Sequence, residues 1–151
     1  MEFPLFEEVD EVVRSMAPDG LGTLQTRRHR RGIKVWFGPA APVKEHYEAQ
    51  FIPRRHVDGA DGAVFEVGFH SEHRDEVTNE KTLAALLTER KTWQKELGPQ
   101  AEHGPFLGNS SWRRISEVWF DADPDDPALG FEIASRLVDY LDLLEPILRS
   151  R

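Results

Sequence analysis

Three short runs hold the side chains best suited to chemistry: Lys34-Val35-Trp36, His46-Tyr47-Glu48-Ala49-Gln50, and Glu66-Val67-Gly68-Phe69-His70 with Glu72 close behind. Each alternates polar and apolar residues with a period of two, the mark of a strand with one packed face and one polar face. Parity puts Lys34, Trp36, His46, Glu48, Gln50, Glu66, His70 and Glu72 on the side opposite the Phe/Val core. Two imidazoles and three carboxylates on one face could supply metal ligands or an acid/base pair. Trp36, Glu48, Glu66 and His70 are the expected ligand-binding residues, with Trp36 as an aromatic wall and Gly68 leaving room for a ligand beside the strand. Spacing limits the idea. Glu66 and His70 lie four residues apart, about 13 Å along a strand, so a shared site needs a bend near Gly68 or ligands from a neighbouring strand such as His46 or Glu48. The plainer reading of the same residues is a solvated sheet face with cross-strand ion pairs. No catalytic residue and no metal ligand set is assigned at this level, the cofactor is unknown, and enzyme or non-enzyme stays open.

Other groups carry weaker signals. His70-Ser71-Glu72-His73 has two histidines three apart, but strand parity sends them to opposite faces, unlike the helical metalloprotease motif. Arg27-Arg28-His29-Arg30-Arg31 could grip phosphates, yet beside Gly32 it reads better as a charged turn or edge that discourages strand pairing between molecules. Asp121, Asp123 and Asp125 sit at the first, third and fifth places of a calcium-loop pattern, which then fails because Asp126 stands where a glycine is required. Arg90 falls in the apolar stripe of a predicted helix, with its stem expected to pack and its head to reach water.

The elements that must position these groups follow from periodicity. Residues 4–16 predict a helix, with Leu5, Phe6, Val9, Val12, Val13 and Met16 on one stripe. Strands are predicted around 33–37, 47–51, 65–69 and 113–120, with a further edge strand over 22–29. Gly38–Pro42 and Asp58–Gly62 are turn-rich connectors, so an antiparallel meander is expected. A second helix is predicted over about 79–97 with Asn79 as its cap. A third starts at Asp126-Pro127, runs to about Leu144 and continues past Pro146 with a kink. The fold class is α+β: an antiparallel sheet of about four to five strands with helices packed on one face, in the order α-β-β-β-α-β-α, forming a single globular domain over residues 1–151.

The third helix is apolar over more than the single stripe a surface helix needs. Phe131, Ala134, Leu137, Val138, Leu141, Leu144 and Leu148 form the stripe, and Ile133, Tyr140 and Ile147 widen it. The excess predicts a second burial surface: a homodimer contact or a protein partner, with Ile133, Leu137, Tyr140, Leu141 and Leu144 at the interface. A non-enzymatic interaction or regulatory module is therefore the first functional expectation, and a metal- or ligand-binding protein using the polar sheet face is the second. The net charge of −8 opposes nucleic acid and anionic membranes. The absence of cysteine rules out disulfides, thiolate metal sites and thiol nucleophiles. The start Met1-Glu2-Phe3-Pro4 lacks a basic and apolar leader, and no run is long enough to span a bilayer, so a cytoplasmic location is expected.

The strand Phe65-Glu66-Val67-Gly68-Phe69, the helix end Lys95-Glu96-Leu97-Gly98, the strand Arg113-Arg114-Ile115 and the Leu-rich last helix together resemble a bacterial domain of unknown function sometimes appended to nuclease-like modules. The resemblance covers about residues 65–148 and implies no activity. The order of elements is also similar to that of small dimeric secretion-chaperone folds.

Overall fold

The computed structural model describes residues 4–41, 43–53 and 64–151. The chain runs α1 (Pro4–Met16), β1 (Leu24–His29), β2 (Gly32–Phe37), β3 (Glu45–Ile52), β4 (Val64–Ser71), α2 (Glu76–Leu87), α3 (Arg90–Leu97), β5 (Glu102–Phe106), β6 (Asn109–Trp119) and α4 (Leu129–Ser150). Six antiparallel strands form one sheet in the order β1-β2-β3-β4-β6-β5. The α+β class and the helix-covered antiparallel sheet are as the sequence predicts, with β5 as an added strand. The connector Asp58–Gly62 lies outside the described residues.

Parity organises the sheet. Ile33, Val35, Tyr47, Ala49, Phe65, Val67, Phe69 and Ile115 face α1 and α4 and are buried in one core. Phe6 of α1 stacks on Phe65 with ring centroids 6.1 Å apart. β4 is central and buried at all eight positions, so its polar face is covered as well. The solvated-face expectation therefore fails. The cover comes from the β5–β6 hairpin, which shifts register between Pro105 and Phe106. Its Phe106 ring lies edge-on to His70 at 4.7 Å, and Trp112 lies 5.6 Å from Phe106. A bulge bends and twists a strand, which here aims an aromatic hairpin over the sheet.

Several boundaries differ from the sequence reading. The second helix is two helices, broken at Thr88–Glu89, and Asp75 rather than Asn79 caps it by accepting from Val77 N. Asn79 is buried instead, where its side chain joins Ser71, His73 and Ser111. Arg90 is exposed and its guanidinium hydrogen-bonds Gln94. α4 begins at Leu129, because Asp126 caps a preceding turn at Ala128 N, and it continues through Pro146 to Ser150.

The expected interface needs correction. Ile133, Leu137, Tyr140, Leu141 and Leu144 are all fully buried within the chain itself. α4 packs against α1, α2, α3 and the strands β3 and β4 at once, which is why it needs an apolar arc wider than a surface helix does. A buried carboxylate crosses this packing. Glu117, on the core face of β6, accepts from Arg136 Nε and Tyr140 Oη of α4, each at 2.8 Å, and from Trp119 Nε1 at 2.8 Å. Burial and the Glu117 charge keep the Tyr140 phenol protonated far above its ordinary range.

Candidate metal centre

β3 and β4 pair so that His46 lies directly across from His70. Each histidine is followed two residues later by a glutamate, Glu48 and Glu72. Period two keeps all four side chains on the polar face, and antiparallel pairing places the two glutamates at opposite ends of the histidine pair. Glu48 stands across from Gly68. Glu72 lies one residue past β4, its backbone N–H still donating to Lys44 C=O at 2.8 Å.

The four side chains converge. Each offers one ligand atom, and these atoms lie within 4.8 Å of one another. His46 Nε2 is 3.1 Å from Glu48 Oε1 and 3.5 Å from Glu72 Oε2. His70 Nδ1 is 3.2 Å from Glu48 Oε1 and 3.1 Å from Glu72 Oε2. A tetrahedral ion with ligands at about 2.0–2.1 Å has ligand-to-ligand edges of about 3.4 Å. Four of the six edges, the nitrogen-to-oxygen ones, lie near that length, and the other two are within 4.8 Å.

The remaining polar atoms of these residues have partners of the kind that orient ligands. His46 Nδ1 lies 3.0 Å from Val43 C=O, and a proton donated there leaves Nε2 free for a metal. His70 Nε2 lies 2.9 Å from Glu66 Oε2, which places its proton there and frees Nδ1. This is the carboxylate–histidine arrangement that commonly backs metal-bound imidazole. Glu66 is fully buried and is fixed in turn by Gln50 Nε2 at 3.0 Å and Ser116 Oγ at 2.7 Å. Arg114 braces Ser116 from behind. The outer oxygen of Glu48 meets His29 Nε2 at 2.8 Å.

Charge is concentrated here. Burial opposes ionisation of Glu48, but hydrogen bonds from His29, His46 and His70 outweigh it and hold the carboxyl well below its ordinary value. Burial likewise opposes Glu72, and His46 and His70 bring it down to about 2. Burial opposes a charge on His70, but Glu66, Glu48 and Glu72 raise its pKa well above the ordinary value. The three carboxylates thus demand positive charge at the two imidazoles. Two added protons satisfy that demand, and a divalent cation between neutral imidazoles supplies the same +2.

The residues expected from sequence fall into two sets. Glu48, Glu66 and His70 come together in this network. Trp36 shares their face by parity, but its indole N–H donates to Pro39 C=O and it does not line the cavity beside the network. Glu66 and His70 meet directly despite their spacing, because Gly68 between them has no side chain to keep theirs apart. Gly68 is itself required: a Cβ there would stand 2.4 Å from Ile115 O, and its φ is +154°. His73 points to the other face and pairs with Glu45. The metal-ready set of His46, Glu48, His70 and Glu72 went unassigned in the sequence reading, although the twinned His-x-Glu on adjacent strands was its signal. Asp123 and Asp126 of the calcium-like loop accept hydrogen bonds from nearby backbone N–H groups.

Glu48 and Glu72 line a cavity of about 420 Å³ that opens beside Phe106 and Trp112. No protein-family model, curated protein or solved structure matches this chain.

Proposed function

We propose that this chain binds a divalent first-row transition-metal ion such as zinc, through His46 Nε2, His70 Nδ1, Glu48 and Glu72, and uses it to act on or hold a small molecule. The observation that supports this is the set of four nitrogen-to-oxygen edges of 3.1–3.5 Å, each imidazole held by a separate partner on its far nitrogen. Imidazole and carboxylate donors without thiolate suit zinc and its first-row neighbours. An ion there would supply Lewis acidity, and lower the pKa of a bound water, through a fifth position added to the four protein ligands. The protein contributes a buried, pre-oriented ligand set and a cavity for the ligand. An interaction module is supported less, because the apolar arc of α4, Phe131 excepted, packs into the chain's own core.

The test is titration of chelator-stripped protein with zinc, manganese and cobalt, followed by calorimetry. One ion per chain is expected, with binding lost in His46→Ala and His70→Ala. The competing account is a self-sufficient network of protonated histidines and carboxylates, which predicts no stoichiometric uptake of any of the three metals.

A further inference from the structure

We infer that the cavity beside the centre takes a small organic carboxylate, its anionic group held by Lys34 and Arg31 and its apolar body against Phe106 and Trp112. The inference rests on the metal reading and names the ligand class that the site would take.

The cavity, at about 420 Å³, lies within the size range of small-ligand sites. It is lined by Glu48 and Glu72 but by neither histidine, so the centre presents its carboxylate side to the opening. Lys34 and Arg31 also line it. Lys34 stands directly across the β2–β3 pair from Glu48. Even so, the Glu48 oxygens are taken by His29, His46 and His70. Neither Lys34 nor Arg31 has a side-chain ion pair among the described residues, in a chain whose net charge is −8. With a divalent ion in place, the charges of Glu48 and Glu72 are balanced. Among the described residues, Lys34 and Arg31 are then the uncompensated charges facing the cavity, and they favour an anion.

The apolar wall decides between a bare oxyanion and an organic one. Phe106 lies edge-on to the His70 ring, so the wall begins at the centre itself, and Trp112 extends it by 5.6 Å between ring centroids. Sulfate would leave that surface uncovered. A flat aromatic carboxylate covers it while placing its charge toward Lys34 and Arg31.

The experiment is calorimetric titration of the zinc-loaded full chain with benzoate, with benzamide and sulfate as controls, repeated after zinc is removed with a chelator. Benzoate is expected to bind once per chain, at least tenfold tighter than benzamide or sulfate, and at least tenfold weaker without zinc. Lys34→Met and Arg31→Met are each expected to weaken benzoate about five- to tenfold while leaving zinc uptake unchanged. Zinc binding without benzoate binding would overturn this inference alone, as would benzamide or sulfate binding as tightly as benzoate. Failure of zinc to bind would overturn both this inference and the metal reading beneath it.

Discussion

Glu66→Gln is the sharpest single perturbation of the network because it keeps the shape of the side chain and removes its charge. The native carboxylate accepts from three donors: His70 Nε2 at 2.9 Å, Gln50 Nε2 at 3.0 Å and Ser116 Oγ at 2.7 Å. An amide at position 66 has one acceptor oxygen and must point its NH2 at one of those donors. Two partners can adapt: Gln50 by turning its amide to present its oxygen, or the imidazole by moving its proton from Nε2 to Nδ1 so that it accepts from the new amide. The second change puts a proton on the atom that faces Glu48 and Glu72 and would otherwise bind metal. Loss of such an outer partner typically costs 10- to 100-fold in metal affinity, about 1.4–2.8 kcal/mol. The metal-free protein also loses charge-assisted hydrogen bonds worth about 1.5–3 kcal/mol. For a chain of this length that lowers Tm by about 3–12 °C. The assays are competition for zinc against a chromophoric chelator and melting in excess chelator. A variant that melts lower as expected, yet holds zinc as tightly as wild type, would refute the argument that Glu66 sets the tautomer of His70.

Three further outcomes follow from the geometry. Gly68→Ala drives a methyl into Ile115 O and Ser116 Cα at a backbone angle that L-residues avoid, and a lowered denaturant midpoint should report a loss of about 2–5 kcal/mol. Glu117→Ala leaves Arg136 Nε, Tyr140 Oη and Trp119 Nε1 without their acceptor beneath α4, while Arg136 keeps Asp139 and Leu97 C=O, and chemical denaturation should show a cost of about 1–3 kcal/mol with zinc affinity within about twofold of wild type. Metal-free protein should be most stable between about pH 4.5 and 6.5, the ordinary values of the carboxylates and histidines. The depressed carboxylates Glu48, Glu66 and Glu72 stabilise above the lower bound and lose that contribution as pH falls through their folded values, which for Glu72 is about 2. The raised histidines His46 and His70 stabilise below the upper bound and lose it as pH rises through their folded values. Melting curves across pH in chelator should show both flanks, and saturating zinc should lift the alkaline one because it binds neutral imidazole.

Much of the fold is legible in the residue pattern. α1 is predicted over the residues it occupies, because its stripe, Pro4 and the stop at Ala17-Pro18 agree. Parity also assigns His46, Glu48, Glu66, His70 and Glu72 to one face correctly. What parity cannot supply is the environment of that face. Its cover comes from β5, whose Glu102-His103-Gly104-Pro105-Phe106 contains a glycine and a proline and lacks a strand pattern, and from a bulge fixed only by pairing with β6. Strand rise fixes where Cα atoms lie, not where long side chains meet, so Glu66 and His70 read as too far apart when Gly68 lets them close over it. The width of the α4 apolar arc was read correctly, but the same pattern serves a helix shared between two molecules and one enclosed by its own sheet and helices. Glu117 on the core face was unreadable for a related reason: its partners Arg136 and Tyr140 lie on an element whose docking the sequence does not specify.

His46, Glu48, His70 and Glu72 are proposed here to share one metal ion. The most direct measurement is an anomalous difference map, collected at the zinc absorption edge, from crystals of zinc-loaded protein. A single strong peak is expected between β3 and β4, about 2.0–2.2 Å from His46 Nε2, His70 Nδ1 and an oxygen of each of Glu48 and Glu72. A map with no peak there, while the four side chains keep their direct hydrogen bonds, would contradict the proposal.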